Sequence, residues 1–290
     1  MKKVRIGIIG AGYISQICHL PFLKKNKYCD LIAIIEKNKN LLNKVADKYN
    51  IKNRLENYQQ VPKTNLNLDV VFICVNKFLA STITSFFIKN RIAVFSEKPV
   101  AINYYLAKKL AMLSKKNKTP LIVGYMKRHD YGTKIIKEII LKKKFGKLKN
   151  IHYETFMGNS FPKSYRYIKY DRQFVKVNLS KIVNNSINSK KRKTYINFLN
   201  THSHALNLIR YYTGDKKKIR LINKDFKKKK ISMKCQNLDI SLFYKFTQRG
   251  KWNEKIFLDF ENARVTQVFP APQLRNKSST VKILNKGNNK

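Results

Sequence analysis

The stretch V4-R5-I6-G7-I8-I9-G10-A11-G12-Y13-I14-S15 decides the reading: a short apolar run ends in a glycine-rich turn that opens a helix. In such a turn the first glycine, Gly10, makes the tight bend after the strand. The second, Gly12, lets the backbone approach a pyrophosphate held at the positive end of the following helix. Tyr13 and Ile14 complete the turn, and Ser15 at the third fingerprint position is small enough to keep helix and strand close. An acidic residue completes the pattern. Glu36 follows the next apolar run, Leu31 to Ile35, 24 positions beyond Gly12, against an expected offset of roughly 20. A carboxylate there accepts hydrogen bonds from ribose hydroxyls and repels a 2′-phosphate, which favours NAD over NADP.

Outward from this turn the first 125 residues alternate buried strands with amphipathic stretches. LIAII (Leu31 to Ile35), DVVFICV (Asp69 to Val75), IAVFSE (Ile92 to Glu97) and PLIVGY (Pro120 to Tyr125) read as strands covered on both faces. Leu41 to Tyr49 and Tyr104 to Lys116 carry apolar residues at helical spacing. The pattern predicts an α/β fold: a doubly wound parallel sheet over residues 1–125, of the Rossmann type. A helix is expected from about Asp130, with Gly146 as its C-terminal stop. Residues 126–290 then read as a second, α+β domain with an open antiparallel sheet, built from IHYETFMG (Ile151 to Gly158), ISMKC, ISLFYKF, KIFLDF and ARVTQVF. A helix over Thr201 to Thr213 ends at Gly214.

Two further stretches carry chemistry. E97-K98-P99-V100 lies at the end of the strand IAVFSE, the edge where open α/β sheets bind ligands, and the Lys98 ammonium can face an oxygen that gains charge during hydride transfer. In N200-T201-H202-S203-H204, Asn200 and His204 are four residues apart, and their helix is expected to begin there. A histidine at that place can take a hydroxyl proton near neutral pH.

The charge is unusual. Lys plus Arg number 62 and Asp plus Glu 16, a net +46. The basic residues are 50 lysines and only 12 arginines, accompanied by many Asn and Ile, as an AT-rich coding sequence gives. Arginine, the better fork for phosphate and guanine, is not enriched. Clusters at 142–144, 190–193 and 227–230 read as solvated faces, so nucleic acid is expected to bind only non-specifically. The four cysteines form no C-x-x-C pair and no zinc spacing, and no metal is expected. No run of roughly 18 apolar residues is present, and Arg5 interrupts the basic-then-apolar start where a signal peptide needs continuity. A cytoplasmic location without membrane contact is expected.

Taken together the motifs resemble the glucose-fructose oxidoreductase and inositol dehydrogenase family, Gfo/Idh/MocA. The likeness rests on GAGYIS followed by H19-L20-P21, on E97-K98-P99, on G124-Y125-M126-K127-R128, and on the His204 helix ending R210-Y211-Y212-T213-G214. The resemblance implies a Rossmann domain joined to a sheet domain that covers the nicotinamide and often serves oligomerisation. It further implies that Glu97 and Lys98 border the cofactor, that Lys98 orients the substrate hydroxyl, and that His204 is the acid/base. Asn76, in a loop lacking the Pro and His usual in the family, is left as the nicotinamide contact. Asn200 and Asn207 stand where relatives frequently carry Asp. Tyr125, Arg128 and Arg166 are candidate substrate contacts. The chain stops soon after VTQVFPAPQL, where members commonly continue with further helix, so the second domain is expected to be short at its C-terminus.

The expected function is NAD-dependent hydride transfer to or from a secondary hydroxyl or ketone of a sugar, nucleotide sugar or cyclitol. Two other classes remain open at this point: a non-catalytic dinucleotide-binding relative, and a basic nucleic-acid-binding module.

Overall fold

The computed structural model describes residues 2–159, 166–170, 189–225, 228–272, 274 and 277–286. It divides into two compact units, 1–124 with 164–200 and 125–163 with 201–290.

The first unit runs β1 (Val4–Ile9), α1 (Leu20–Lys25), β2 (Cys29–Ile35), α2 (Lys39–Tyr49), β3 (Asn53–Leu55), β4 (Val70–Ile73), α3 (Lys77–Lys89), β5 (Ala93–Ser96), α4 (Tyr104–Lys116) and β6 (Leu121–Val123). All six strands are parallel, in the order β3-β2-β1-β4-β5-β6. This is the doubly wound arrangement read from the sequence, with its reversal of strand order between β1 and β4. Both faces of the sheet are covered. Ile9 and Ile35 enter one apolar cluster with Val71, Phe87 and Val94, whereas their neighbours Ile8 and Ile34 enter another with Leu20, Leu41 and Val45. The strand period of two sends successive residues to opposite faces, so strands flanked by helices on both sides must be apolar throughout. Asparagines start the helices: Asn38, Asn76 and Asn103 precede α2, α3 and α4, each accepting a backbone N–H of the first turn with its side chain.

The second unit contains α5 (Tyr131–Leu141), β7 (Leu148–Asn159), β8 (Arg220–Asp225), β9 (Lys230–Cys235), β10 (Leu238–Lys251), β11 (Asn253–Phe260), β12 (Ala263–Phe269) and β13 (Thr280–Asn285). Between β7 and β8 comes the long helix α6 (Ser189–Thr213). The seven strands are ordered β13-β12-β11-β7-β10-β9-β8. Alternation is clear in β11 and β12, where Ile256, Leu258 and Phe260, then Ala263 and Val265, are buried and their immediate strand neighbours Phe257, Asp259 and Arg264 are not.

Four sequence expectations are corrected. The second sheet is mixed rather than antiparallel, because β7 and β10 pair in parallel, Ile240 opposite Ile151 and Leu242 opposite Tyr153. The connection between them runs through α6, β8 and β9, and such a long excursion can return a strand in the same direction. The second unit is not one continuous stretch from residue 126 onward, since described residues 166–170 and 189–200 group with the first unit. Helix α6 begins at Ser189, not near Asn200, since the preceding residues include Ile196 as a buried apolar anchor and no glycine or proline. Finally, α5 ends at Leu141, with Lys143 already left-handed at φ 51°. Gly146, at φ 78°, belongs to the turn that follows.

Among the described residues of the second unit, burial of charge is concentrated in one pair. Lys127, in the turn Met126–His129, hydrogen-bonds the Glu254 carboxylate, which also accepts from the Tyr153 hydroxyl at 2.6 Å. Both residues are less than a tenth exposed. Removing one partner leaves the other charged and dry. Lys127→Met is therefore expected to destabilise the second unit by about 3–5 kcal/mol in urea unfolding, and the double variant Lys127→Met/Glu254→Leu to recover most of that loss.

Candidate functional site

The glycine turn sits at the end of β1, on the carboxyl edge of the sheet. Gly10 is left-handed at φ 91°, and a Cβ there would lie 2.6 Å from the Cys74 carbonyl oxygen at the end of β4. No other residue fits that bend between two adjacent strands. The Ser15 hydroxyl returns to the Gly10 carbonyl, and the Gln16 N–H donates to the Gly12 carbonyl at 3.1 Å, so the turn runs without a gap into the helical stretch before α1.

Glu36 closes the turn from the neighbouring strand. One carboxylate oxygen accepts from the Ala11 N–H at 2.9 Å and the other from the Asn38 N–H at 3.0 Å. The acid thus ties the glycine turn to the start of α2, with its oxygens at the sheet edge where a ribose would be read. The chemistry of this set fits a dinucleotide: a bend only glycine can make, a Gly12 without a side chain, a helix start and a carboxylate beside them.

At the other end of the edge, Glu97 meets His19, Oε1 to Nε2 at 2.8 Å, and its second oxygen accepts from the Lys98 N–H at 3.2 Å. The His19 ring lies edge-on to Phe72 and Phe95. Burial disfavours a charged imidazole here, but hydrogen bonds to the Cys74 sulfur and the Glu97 carboxylate outweigh it and raise His19 to about 10. Lys98 is half-buried at the end of β5, joined to Pro99 by a cis peptide bond. Asn76 caps α3, its side chain accepting from the Phe78 N–H at 3.1 Å.

In the second unit, His204 lies well inside α6 and not at its start, with the Tyr125 ring perpendicular to the imidazole at 5.8 Å. Burial pushes the Tyr125 phenol up, and the Arg128 guanidinium opposes it. Arg128, expected at the substrate, is engaged within its own unit. Its Nε donates to Asn207 at 2.6 Å, its two terminal nitrogens to Asp215 at 2.9 and 2.7 Å, and its guanidinium lies over the Tyr211 ring at 5.0 Å. It therefore anchors the turn after β6 to α6. The hydrogen bond to Arg128 holds the Asp215 carboxyl below the usual carboxylate range. His202 is buried against Tyr244 and is part of the core.

The structure thus gathers Gly10, Gly12, Tyr13, Ile14, Glu36, Asn76, Glu97 and Lys98 in the first unit, and Tyr125, Arg128 and His204 in the second. Arg166 is exposed and groups with the first unit rather than the second. Asn200 falls within α6, and its side chain lies outside the described residues. Sequence reasoning gave His19 no role, although H19-L20-P21 was part of the resemblance. Gln16 it missed altogether, and a polar residue three positions into a buried helix start is the signal that marks it. Among the described residues no group of three or more His, Cys, Asp or Glu is placed to hold a metal, and no helix is long and apolar enough to cross a membrane.

Residues 4–125 match the model of the Gfo/Idh/MocA oxidoreductase family, described as an NAD-binding Rossmann fold, which supports the resemblance over the first domain. A myo-inositol 2-dehydrogenase of Thermotoga maritima is 27% identical over 144 residues, covering 50% of this chain and 42% of the relative, so the match spans less than half of that protein. Among solved structures, the WlbA dehydrogenase of Bordetella pertussis in complex with NADH and UDP-GlcNAcA superposes with a TM-score of 0.73 at 15% identity, over 99% of this chain and 79% of that one. KijD10, a 3-ketoreductase of Actinomadura kijaniata in complex with NADP, gives 0.72 at 12% identity, over 98% and 82%. At these identities the structures share the fold.

The His19–Glu97 pair makes stability depend on pH. The folded pKa lies above the unfolded value of 6.5, so the pair contributes fully below about 6.5, and its contribution is lost as pH rises through about 10. Melting temperature is expected to fall across this window. His19→Gln should flatten that part of the profile, which thermal melts from pH 6 to pH 10 would read.

Proposed function

We propose that the chain is an NAD-dependent oxidoreductase that exchanges a hydride between nicotinamide and a secondary hydroxyl or ketone of a sugar, nucleotide sugar or cyclitol. The observation that carries this reading is the glycine turn itself: Gly10 bent against the Cys74 carbonyl, with the Glu36 carboxylate bridging the Ala11 and Asn38 amides beside it. The substrate class is supported by the myo-inositol 2-dehydrogenase relative and by structural neighbours described as a dehydrogenase in complex with UDP-GlcNAcA and as a 3-ketoreductase. Glu36 supports NAD as the preferred cofactor, since a ribose hydroxyl can donate to its oxygens and a 2′-phosphate cannot.

When bound, the nicotinamide supplies the carbon that takes or gives the hydride. The remaining work falls to side chains. The Lys98 ammonium donates to the substrate oxygen and stabilises the negative charge that grows there as its proton leaves. The His204 imidazole takes that proton in oxidation and returns it in reduction. Tyr125 packs against the imidazole, and Arg128, through Asn207, fixes the helix that carries it. Glu97, paired with His19, holds the backbone at Lys98. The proposal includes self-association through the second sheet, on whose surface His152 lies between Phe243 and Phe257 beside the Arg264–Asp259 pair. Attraction of nucleic acid to the basic surface is expected to collapse with added salt.

Calorimetric titration at moderate salt tests the cofactor. NADH is expected to bind more tightly than NADPH, and Glu36→Ala to weaken NADH at least about 10-fold and erase the preference. A folded protein that binds neither nucleotide overturns the reading. With a sugar or nucleotide-sugar substrate in hand, His204→Asn should lower turnover by about 10²–10⁴ while NADH affinity is retained.

A further inference from the structure

Segment Arg166–Tyr170 lies on the glycine turn within the first unit. It is held there by Gln16, which is buried and anchored by its own Nε2 on the Ala11 carbonyl at 2.9 Å. The same carboxamide grips the backbone of Ile168 from both sides: Oε1 accepts the Ile168 N–H at 2.8 Å, and Nε2 donates to the Ile168 carbonyl at 3.2 Å. A side-chain amide here imitates one rung of a β-ladder. Tyr167 adds a perpendicular ring contact with Tyr13 at 4.7 Å, and Ile168 and Tyr170 pack on the cluster of Ile8, Ala11 and Leu41.

The consequence appears at Gly12. A Cβ on this residue would stand 2.9 Å from the Tyr170 hydroxyl oxygen. The phenol therefore fills the space left by the missing side chain, and that same opening is what lets a pyrophosphate approach the turn. Beside it lies a cavity of about 480 Å³, bordered by Asn38, Asn40 and Lys44 of the α2 region and by Tyr167, Lys169 and Tyr170 of the segment. Three of its walls are thus side chains of the segment itself.

We propose that Arg166–Tyr170 is a strap over the dinucleotide site, in which the Tyr170 phenol and an incoming pyrophosphate compete for the open face of Gly12. The inference rests on the dinucleotide reading of the turn. Gln16 and Tyr13 keep the strap attached, so ligand entry needs only the phenol to swing away, while Tyr167 and Lys169 stay as walls of the adenosine-side cavity. A protein whose binding-competent state is partly populated shows an affinity reduced by that fraction. Tyr170 is the side chain that sets the fraction here.

The test has two readouts on four full-length proteins: the parent, Gly12→Ala, Tyr170→Ala and the double variant. Without ligand, melting temperatures report the seating. Gly12 is not at positive φ, so its backbone accepts alanine, and among the described residues the methyl group meets only the phenol. Gly12→Ala is expected to lower the melting temperature of the parent and to leave that of Tyr170→Ala nearly unchanged. With ligand, Tyr170→Ala is expected to bind NADH roughly 3- to 10-fold more tightly than the parent by calorimetry. Additive melting shifts overturn the seating of Tyr170 on Gly12. Unchanged or weaker NADH binding by Tyr170→Ala overturns the competition and makes the phenol a wall of the site. Coupled melting temperatures with no binding of NADH or NADPH by any of the four keep the seating but sink the dinucleotide reading and the competition with it.

Discussion

The close crossing of Gly10 over the carbonyl of Cys74 is the constraint on which the first unit depends. Strands β1 and β4 are neighbours on either side of the point where strand order reverses, and the chain leaving β1 must turn there without a side chain. Everything at the sheet edge follows from that bend. The helical stretch begins at once, Ser15 and Gln16 return to the turn through their side chains, and Glu36 reaches across from β2 to bridge two backbone amides. A larger residue at position 10 would move all of these together, because interiors this well packed cannot absorb a displaced carbonyl locally.

The first unit was legible because its rules are local. Buried parallel strands announce themselves as unbroken apolar runs, and the strand-turn-helix context of G10-A11-G12 restricts what the turn can hold. The second unit was legible only in part. Alternation in KIFLDF and ARVTQVF tells which residues face the core, but says nothing about which strand lies alongside or in which direction. The parallel pairing of β7 with β10 is a fact of chain return, invisible in either strand. The N-terminal half of α6 was hidden for another reason: its lysine-rich stretch has helix-forming residues but only a weak apolar stripe, so its helicity follows from continuity with the half that carries His204.

Site residues divide along the same line. Gly10, Gly12 and Glu36 could be named because sequence spacing alone fixes their geometry. The tie between Arg128 and Asp215, the pairing of His19 with Glu97, and the grip of Gln16 on Ile168 join positions 87, 78 and 152 residues apart, and no periodicity encodes them. Arg128 shows why a lone cation is ambiguous in sequence: the same guanidinium can meet a substrate or a structural carboxylate, and here a nearby acid takes it. Asp215 is one of only 16 acidic residues in a chain with 62 basic ones, so each acid placed opposite a particular cation is a specific choice of partner.

The place of β7 in its sheet also bears on how the chain is made. Both of its neighbours, β10 and β11, come later in sequence, the nearer one roughly 80 residues downstream. At a synthesis rate of about 5–20 residues per second, this strand leaves the ribosome several seconds before either partner exists. During that interval the first domain's six parallel strands are already complete in sequence, whereas β7 presents two unpaired edges and an apolar face with Ile151 and Tyr153 on it. The second sheet thus assembles around a strand that has waited for its ladder, which makes the nascent chain most exposed to mispairing in the middle of its synthesis rather than at either end.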